Sequence, residues 1–390
     1  MISLSKYVFI SNSTKPNQDE YESLEDIKLS NVNRPCLKIA NEMGYDVILG
    51  VNRKYPEKLK CPEMDITFYD SHTFRSIFAF KDNYIAYKNL CEILKKGEVE
   101  VIHCNTPIGG FIGRVCGKKY KVPKVIYTAH GFHFYKGAPL FYNTIIKWIE
   151  FFLAHWTDVI ITMNEEDYQN ALKMKLRNNG KVYKVNGVGI NIEEISNIDL
   201  NRLDARKSMN INMDEFVCIG VGRIEKNKNY EMCIKAIHQT KNKNIHFLIC
   251  GDGKKRKKLE KLAKKLNVEK QIHFLGYRED VFKLLKVSDC YLSTSKREGL
   301  PRALMEAMSV GLPCIVSDVR GNRDLINHNE GGFLVSPKDY KEIGARINLL
   351  VNNPNLRKEM SNINLERIKA YDVKGVNNLI KKIYLEVSEI

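Results

Sequence analysis

The chain has 390 residues, 44% of them hydrophobic and 28% charged, the content of a globular protein long enough for two domains. Its 62 Lys and Arg outnumber 46 Asp and Glu, and the net charge of +16 favours anionic partners: nucleic acid, anionic lipid or phosphorylated small molecules. Three classes drop out at once: no apolar run reaches the roughly 18 residues of a membrane-spanning helix, the ten scattered cysteines form no C-x-x-C pair for a zinc ribbon, and there is no repeat of fixed period.

The N-terminal "YVFIS" (7–11) reads as a first strand, its apolar run being too short for a signal peptide. Similar Val/Ile/Phe runs follow at 46–51, 66–70, 99–104, 124–129 and 158–163, separated by helical patterns. A second series lies at 216–221, 245–250, 272–276, 290–294, 313–317 and 332–335. Nearly continuous apolar strands alternating with helices predict buried parallel sheets with helices on both faces. The polar, Asn-rich stretch between the two series places a linker near 187–200. The expectation is an α/β chain of two Rossmann-like domains, 1–193 and 194–372, facing a central cleft. A closing helix over 373–390 could pack back on the first domain. Most cysteines fall inside the apolar runs, as buried free thiols in a reducing cytosol do.

In open parallel sheets, ligands bind beyond the carboxyl ends of the strands, so the residues just after each strand are the candidates. "GVGRIEKNKN" (220–229) follows the first strand of the second series. Gly220 and Gly222 permit a tight turn, and Arg223 and Lys228 then put two cations at the start of the next helix, a combination that suits an anion. Position 225 is Glu, so this is not the G-x-G-x-x-G dinucleotide fingerprint. "CGDG" supplies Gly251, Asp252 and Gly253 after the next strand, and the lysines beyond it read as a solvated helix face. "GYRED" supplies Tyr277, an aromatic for a nucleobase, and Arg278. Last comes "SKREGLPRALMEAMSVGLP" (295–313). Leu300, Leu304, Ala307 and Met308 form one inward stripe, Pro301 suits the first turn, and Gly311 and Pro313 stop the helix. Glu298 precedes that helix and Glu306 lies one turn into it. The plain alternative for Glu306 is a surface pair with Arg302 at i, i+4.

The ordered set "GRIEKNKN … CGDG … FLGYREDV … SKREGLPRALMEAMSVGLP" resembles the C-terminal half of glycosyltransferase family 4, retaining enzymes of the GT-B fold. "IHCNTPIGGFIGR" and "YTAHGFHFYKGAPL" in the first half are similar to bacterial exopolysaccharide- and capsule-assembly members. The resemblance implies an N-terminal acceptor-binding domain and a C-terminal domain that binds a nucleotide-sugar, with uridine as the base. It gives Glu306 the ribose diol, Glu298 the donor sugar, and Gly299, Leu300 and Pro301 a backbone contact to the diphosphate. Arg223 and Lys228 neutralise the leaving diphosphate, so no metal or other cofactor is expected. Gly222, Gly251, Asp252, Tyr277 and Arg278 complete the donor side. His130 matches the histidine near the anomeric carbon, with His133 close enough to share that part. Thr106, Gly109 and Gly110 join His133 as acceptor-side candidates. The loop "SNSTKPN" (11–17) departs from the Gly-rich version that many members carry.

The resemblance implies a glycan or polyprenyl-diphosphate-linked acceptor and a cytoplasmic enzyme. No nucleic-acid motif appears and the basic residues are dispersed, so nucleic acid is not expected as a partner. The rival readings are a sugar-nucleotide epimerase of similar form and a catalytically silent sugar-nucleotide-binding homologue. One segment stands apart: 132–156 holds nine of the 37 aromatics and both tryptophans, with Lys118, Lys119, Lys121 and Lys124 upstream. It reads either as domain core or as an anchor on an anionic membrane surface.

Overall fold

The computed structural model describes residues 5–13 and 15–389. They divide into two units, one running to Val188 and resuming at Val376, the other Gly189–Gly375. The first unit contains seven strands: β1 Lys6–Ile10, β2 Asp46–Val51, β3 Thr67–Asp70, β4 Val99–Asn105, β5 Lys124–Ala129, β6 Val159–Thr162 and β7 Lys181–Lys184. They form one parallel sheet in the order β3-β2-β1-β4-β5-β6-β7. The second unit contains β8 Phe216–Val221, β9 Ile245–Cys250, β10 Ile272–Gly276, β11 Cys290–Ser293, β12 Cys314–Ser317 and β13 Gly332–Val335. Their order is β10-β9-β8-β11-β12-β13, again parallel.

Twelve of these strands coincide with the apolar runs read from the sequence, because burial on both faces leaves an unbroken Val/Ile/Phe signal. The thirteenth, β7, was missed. It is "KVYK" at the sheet edge, with a lysine exposed at each end, the pattern that keeps an edge from pairing further. All ten cysteines are free thiols, nine of them buried.

In each sheet the strand order reverses once, between β1 and β4 and between β8 and β11. The reversal splays the connecting loops apart and leaves a crevice beyond the carboxyl ends of those strands. In the second unit the loops that leave β8 and β11 carry 222–229 and 294–300.

The last helix, Val373–Glu389, starts in the second unit, and from Val376 on it belongs to the first. Its Val376, Ile380, Ile383, Tyr384 and Val387 repeat at helical spacing and enter the core around Phe9, Leu37 and Val101. Tyr384 also joins a buried polar cluster. His103 Nδ1 lies 2.7 Å from the Tyr7 hydroxyl and 2.6 Å from that of Tyr384, and His103 Nε2 lies 2.7 Å from Thr128 Oγ1. Burial pushes the His103 imidazole down to about 3, with His130 adding to the shift. His103 is therefore neutral near pH 7, and both its nitrogens are satisfied.

The aromatic segment 132–156 is core only in part. Phe132, Phe134, Leu153 and Ala154 are core, whereas Leu140, Phe141, Ile145, Trp148 and Phe152 are exposed. Among the described residues no helix is long and apolar enough to cross a membrane.

Candidate active site

In the second unit the strand-end loops are laced together by backbone hydrogen bonds. Gly222 N–H donates to Cys250 O at 2.9 Å, Gly251 N–H to Gly276 O at 2.7 Å and Ile224 N–H to Asp252 O at 2.8 Å. These contacts explain the glycines. A Cβ on Gly251 would stand 2.2 Å from Gly222 O, and both residues hold positive φ, 141° and 145°. The β11 loop is fixed in turn to the β8 loop. Lys296 N–H donates to Asn227 O at 2.8 Å, the Asn227 side-chain amide to Arg297 O at 2.9 Å, and that of Asn229 to Thr294 O at 3.1 Å. Asn227 and Asn229 were not singled out from the sequence. The only local signal was an Asn-rich turn, which any surface loop shares.

Lys228 Nζ meets Glu298 Oε1 at 2.8 Å, both side chains largely buried. The cation of one loop and the carboxylate of the next thus share one spot. Arg223 does not. Its side chain is 64% exposed and pairs with Glu225 at 2.9 Å, and the next helix begins only at Tyr230. The expectation of two cations at a helix start therefore needs correcting. The turn at 222–229 runs on through Asn229, held at positive φ, before the helix opens, and this separates Arg223 from it.

The helix that follows Glu298 spans Arg302–Ser309, one residue later than expected, because Pro301 takes an extended ψ and acts as the cap residue. Leu304, Met305, Ala307 and Met308 are buried, and Gly311 follows at positive φ. Glu306 sits beside this face with its side chain only 15% exposed, and Arg302 Nε reaches its Oε1 at 2.9 Å. The i, i+4 pair is real, but it is not a solvated one. Burial raises the Glu306 carboxyl above its ordinary value, and Arg302 opposes the shift. A carboxylate so placed is costly to keep charged unless hydrogen-bond donors face it, and hydroxyl groups are such donors. Gly299 packs against Gly321, where a Cβ would stand 2.2 Å from Gly299 O. Leu300 is half-buried and Pro301 buried. Tyr277 is 83% exposed, Arg278 pairs with Asp280 at 2.6 Å, and Asp252 pairs with Arg256 at 3.3 Å.

In the first unit, His130 follows β5. Its ring is half-buried, while its Nε2 is shut off from solvent with no hydrogen-bond partner. Burial pushes the imidazole down to about 4, so it is neutral near pH 7. It lines a cavity of about 20 Å³ together with Asn105, Thr128 and Cys36. His133 belongs elsewhere. No helix follows β5 directly, so the two histidines are not one turn apart. His133 stacks on Tyr142, with ring centroids 6.0 Å apart, and lines a different, larger cavity. Thr106 caps the helix Pro107–Lys119 at φ 68°, and its Oγ1 accepts from Asn12 N–H at 2.8 Å. Gly109 and Gly110, expected on the acceptor side, are buried against the sheet. A Cβ on Gly109 would meet Ile10 O at 3.0 Å, and one on Gly110 would meet the Tyr127 ring at 2.4 Å. Close packing of helix on strand accounts for both. In the 11–17 loop, Thr14 lies outside the described residues.

Comparison with known proteins bears on what such a set of loops belongs to. Residues 201–367 match the family described as Glycosyl transferases group 1, and residues 29–164 match Glycosyl transferase 4-like. A putative glycosyltransferase of Bacillus subtilis, EpsD, is 32% identical over 337 residues, 84% of this chain and 85% of that one. The UDP-Gal:alpha-D-GlcNAc-diphosphoundecaprenol alpha-1,3-galactosyltransferase of Escherichia coli is 30% identical over 310 residues, 77% of this chain and 78% of that one. Among solved structures, Anabaena Alr3699/HepE in complex with UDP is 16% identical, with a TM-score of 0.75 over 98% of this chain and 100% of that one. Both halves match in order, and the relatives extend across most of the chain: this protein belongs to the group 1 glycosyl transferases and is a glycosyltransferase of the GT-B fold.

Proposed function

We propose that the chain is a retaining glycosyltransferase that moves a sugar from a UDP-sugar to a glycan or polyprenyl-diphosphate-linked acceptor during bacterial surface polysaccharide synthesis. The observation that carries the donor side is Glu306, a largely buried carboxylate one turn into a helix whose preceding loop brings Glu298 to Lys228. A ribose diol presents two hydroxyl donors to such a carboxylate. Glu298 addresses the donor sugar, and Lys228, Arg223 and the Gly299–Pro301 backbone address the diphosphate. Tyr277, Arg278, Gly222, Gly251 and Asp252 complete the nucleotide side. His130 serves the anomeric centre as a neutral hydrogen-bonding group. The donor and acceptor classes are supported by the E. coli relative, whose name specifies UDP-Gal and a diphosphoundecaprenol-linked acceptor.

In the transfer, the bond from the anomeric carbon to the diphosphate oxygen breaks, and its electron pair leaves with the diphosphate. The acceptor oxygen bonds to the same face of that carbon, and its proton passes to the departing diphosphate oxygen. The negative charge that develops is met by Lys228 and Arg223 rather than by a divalent cation.

Glu306→Gln is the direct test of the donor side. The amide accepts more weakly from the diol, and UDP-sugar affinity should fall by about 1–3 kcal/mol, the range for a charge-assisted hydrogen bond. Unchanged affinity by calorimetry would return Glu306 to a structural pair with Arg302.

The same reading places the protein in the cytoplasm, attached peripherally to the inner face of the membrane through the exposed side chains of 132–156. Trp148 is 67% exposed and Leu140 78%. Aromatic rings beside lysines suit the bilayer interface. The protein should float with anionic vesicles at low salt and be released as salt screens the attraction. Protein left in the soluble fraction at low salt would remove the attachment.

A further inference from the structure

The exposed aromatics of the first unit are not scattered. The helices Phe80–Lys95 and Pro107–Lys119 and the stretch from Tyr142 to Ala154 enclose one groove of about 730 Å³, within the size range of built ligand sites. Its walls include Phe78, Phe80, Tyr84, Phe111, Phe141 and Ile145, each between 42% and 74% exposed. An apolar surface of that extent is kept in water only where something covers it. Below it, the buried Arg114–Glu150 pair closes at 2.8 Å and fixes the helix floor.

The rim is cationic. Lys88 Nζ stands 4.9 Å from the centre of the Tyr84 ring and Lys119 Nζ 5.1 Å from that of Tyr87, both tyrosines being groove walls. Arg75 also lines the groove. Pro107 and Ile108, which follow Thr106, and His133, from the loop after β5, line it too.

We propose that this groove holds the isoprenoid chain of a polyprenyl diphosphate-linked acceptor, with the diphosphate at the cationic rim. The proposal rests on the lipid-linked acceptor reading and says where the lipid goes. A branched, unsaturated hydrocarbon chain fills a concave apolar channel that a flat bilayer surface leaves open. A head carrying negative charge matches the lysines and Arg75. A second copy of this chain matches poorly, because it would bring its own basic rim, on a molecule of net charge +16, against this one.

The test compares farnesyl diphosphate with inorganic diphosphate by calorimetry on the full chain, alongside UDP. Each methylene buried should tighten binding about fourfold. Farnesyl diphosphate should therefore bind at least about 100-fold more tightly than inorganic diphosphate. The double variant Phe111→Ser, Ile145→Ser changes two exposed side chains and should abolish that advantage while UDP affinity stays unchanged. Equal affinity for farnesyl diphosphate and inorganic diphosphate, with UDP bound normally, overturns the groove proposal and leaves the glycosyltransferase reading intact. An advantage that survives in the double variant also overturns it. Failure to bind either UDP or farnesyl diphosphate overturns both readings. A dimer that forms on concentration and disappears in the double variant, with no chain binding, assigns the groove to a second copy instead. Vesicle flotation lost in the double variant, again with no chain binding, assigns it to the membrane surface.

Discussion

His130→Ala is expected to lower turnover by about 10²-fold or more, the usual loss when a preorganised hydrogen-bonding group is removed from a reacting centre, while UDP-sugar affinity and folding stay near normal. The expectation follows from position. His130 stands at the end of β5 in the first unit, whereas Glu306, Glu298 and Lys228 belong to the second. Removing the imidazole leaves the proposed nucleotide contacts in place. It also removes no hydrogen bond from the protein at Nε2, which has no partner. The pH profile separates this role from a cationic one. Burial lowers the group to about 4, so the neutral form persists as pH falls from about 7 towards 5, and no loss of kcat from this residue should appear near its ordinary value of about 6.5. Single-turnover measurements with saturating donor are the check. Near-normal turnover in His130→Ala would take the residue out of the active centre. An inflection near pH 6.5 that disappears in the variant would mean that the imidazole works as a cation.

Lys228→Ala should reduce kcat by about 10²–10³-fold, and by more than it raises the acceptor KM, because the charge it is proposed to meet appears only as the diphosphate departs. Glu298 supplies part of the effect. With the ammonium gone, its largely buried carboxylate loses its 2.8 Å partner and, on the proposed reading, is left unpaired near the diphosphate. Arg223→Ala should act in the same direction but less strongly, since Arg223 is mostly exposed and its pair with Glu225 is a solvated one. Steady-state kinetics at saturating donor separate kcat from the acceptor KM. A chelator gives the complementary measurement. Activity that vanishes with chelator and returns only with a divalent ion would show that the cations of the 222–229 loop do not carry the leaving-group charge.

Much of this protein was legible in one dimension. Twelve strands announced themselves because a strand buried on both faces must be apolar along its whole length. The order of the strand-end motifs carried the family, and the inward stripe of Leu304, Ala307 and Met308 was plain from helical period alone. What stayed hidden depends on which distant segments meet. Glu306 could be a surface pair or a buried carboxylate, and the periodicity of 302–309 is the same in both cases. Only the packing around that helix decided that 15% of its side chain is exposed. Nothing in the sequence around Gly109 and Gly110 says that the Ile10 backbone and the Tyr127 ring lie where their Cβ atoms would go. His130 and His133 are three residues apart in sequence and line different cavities, since the loop between them is not helical. The edge strand β7 and the docking of the last helix through Tyr384 onto Tyr7 and His103 were likewise decided in three dimensions. Local composition and period report what a residue needs around it; they do not report which residue, 281 positions away in the case of His103 and Tyr384, will provide it.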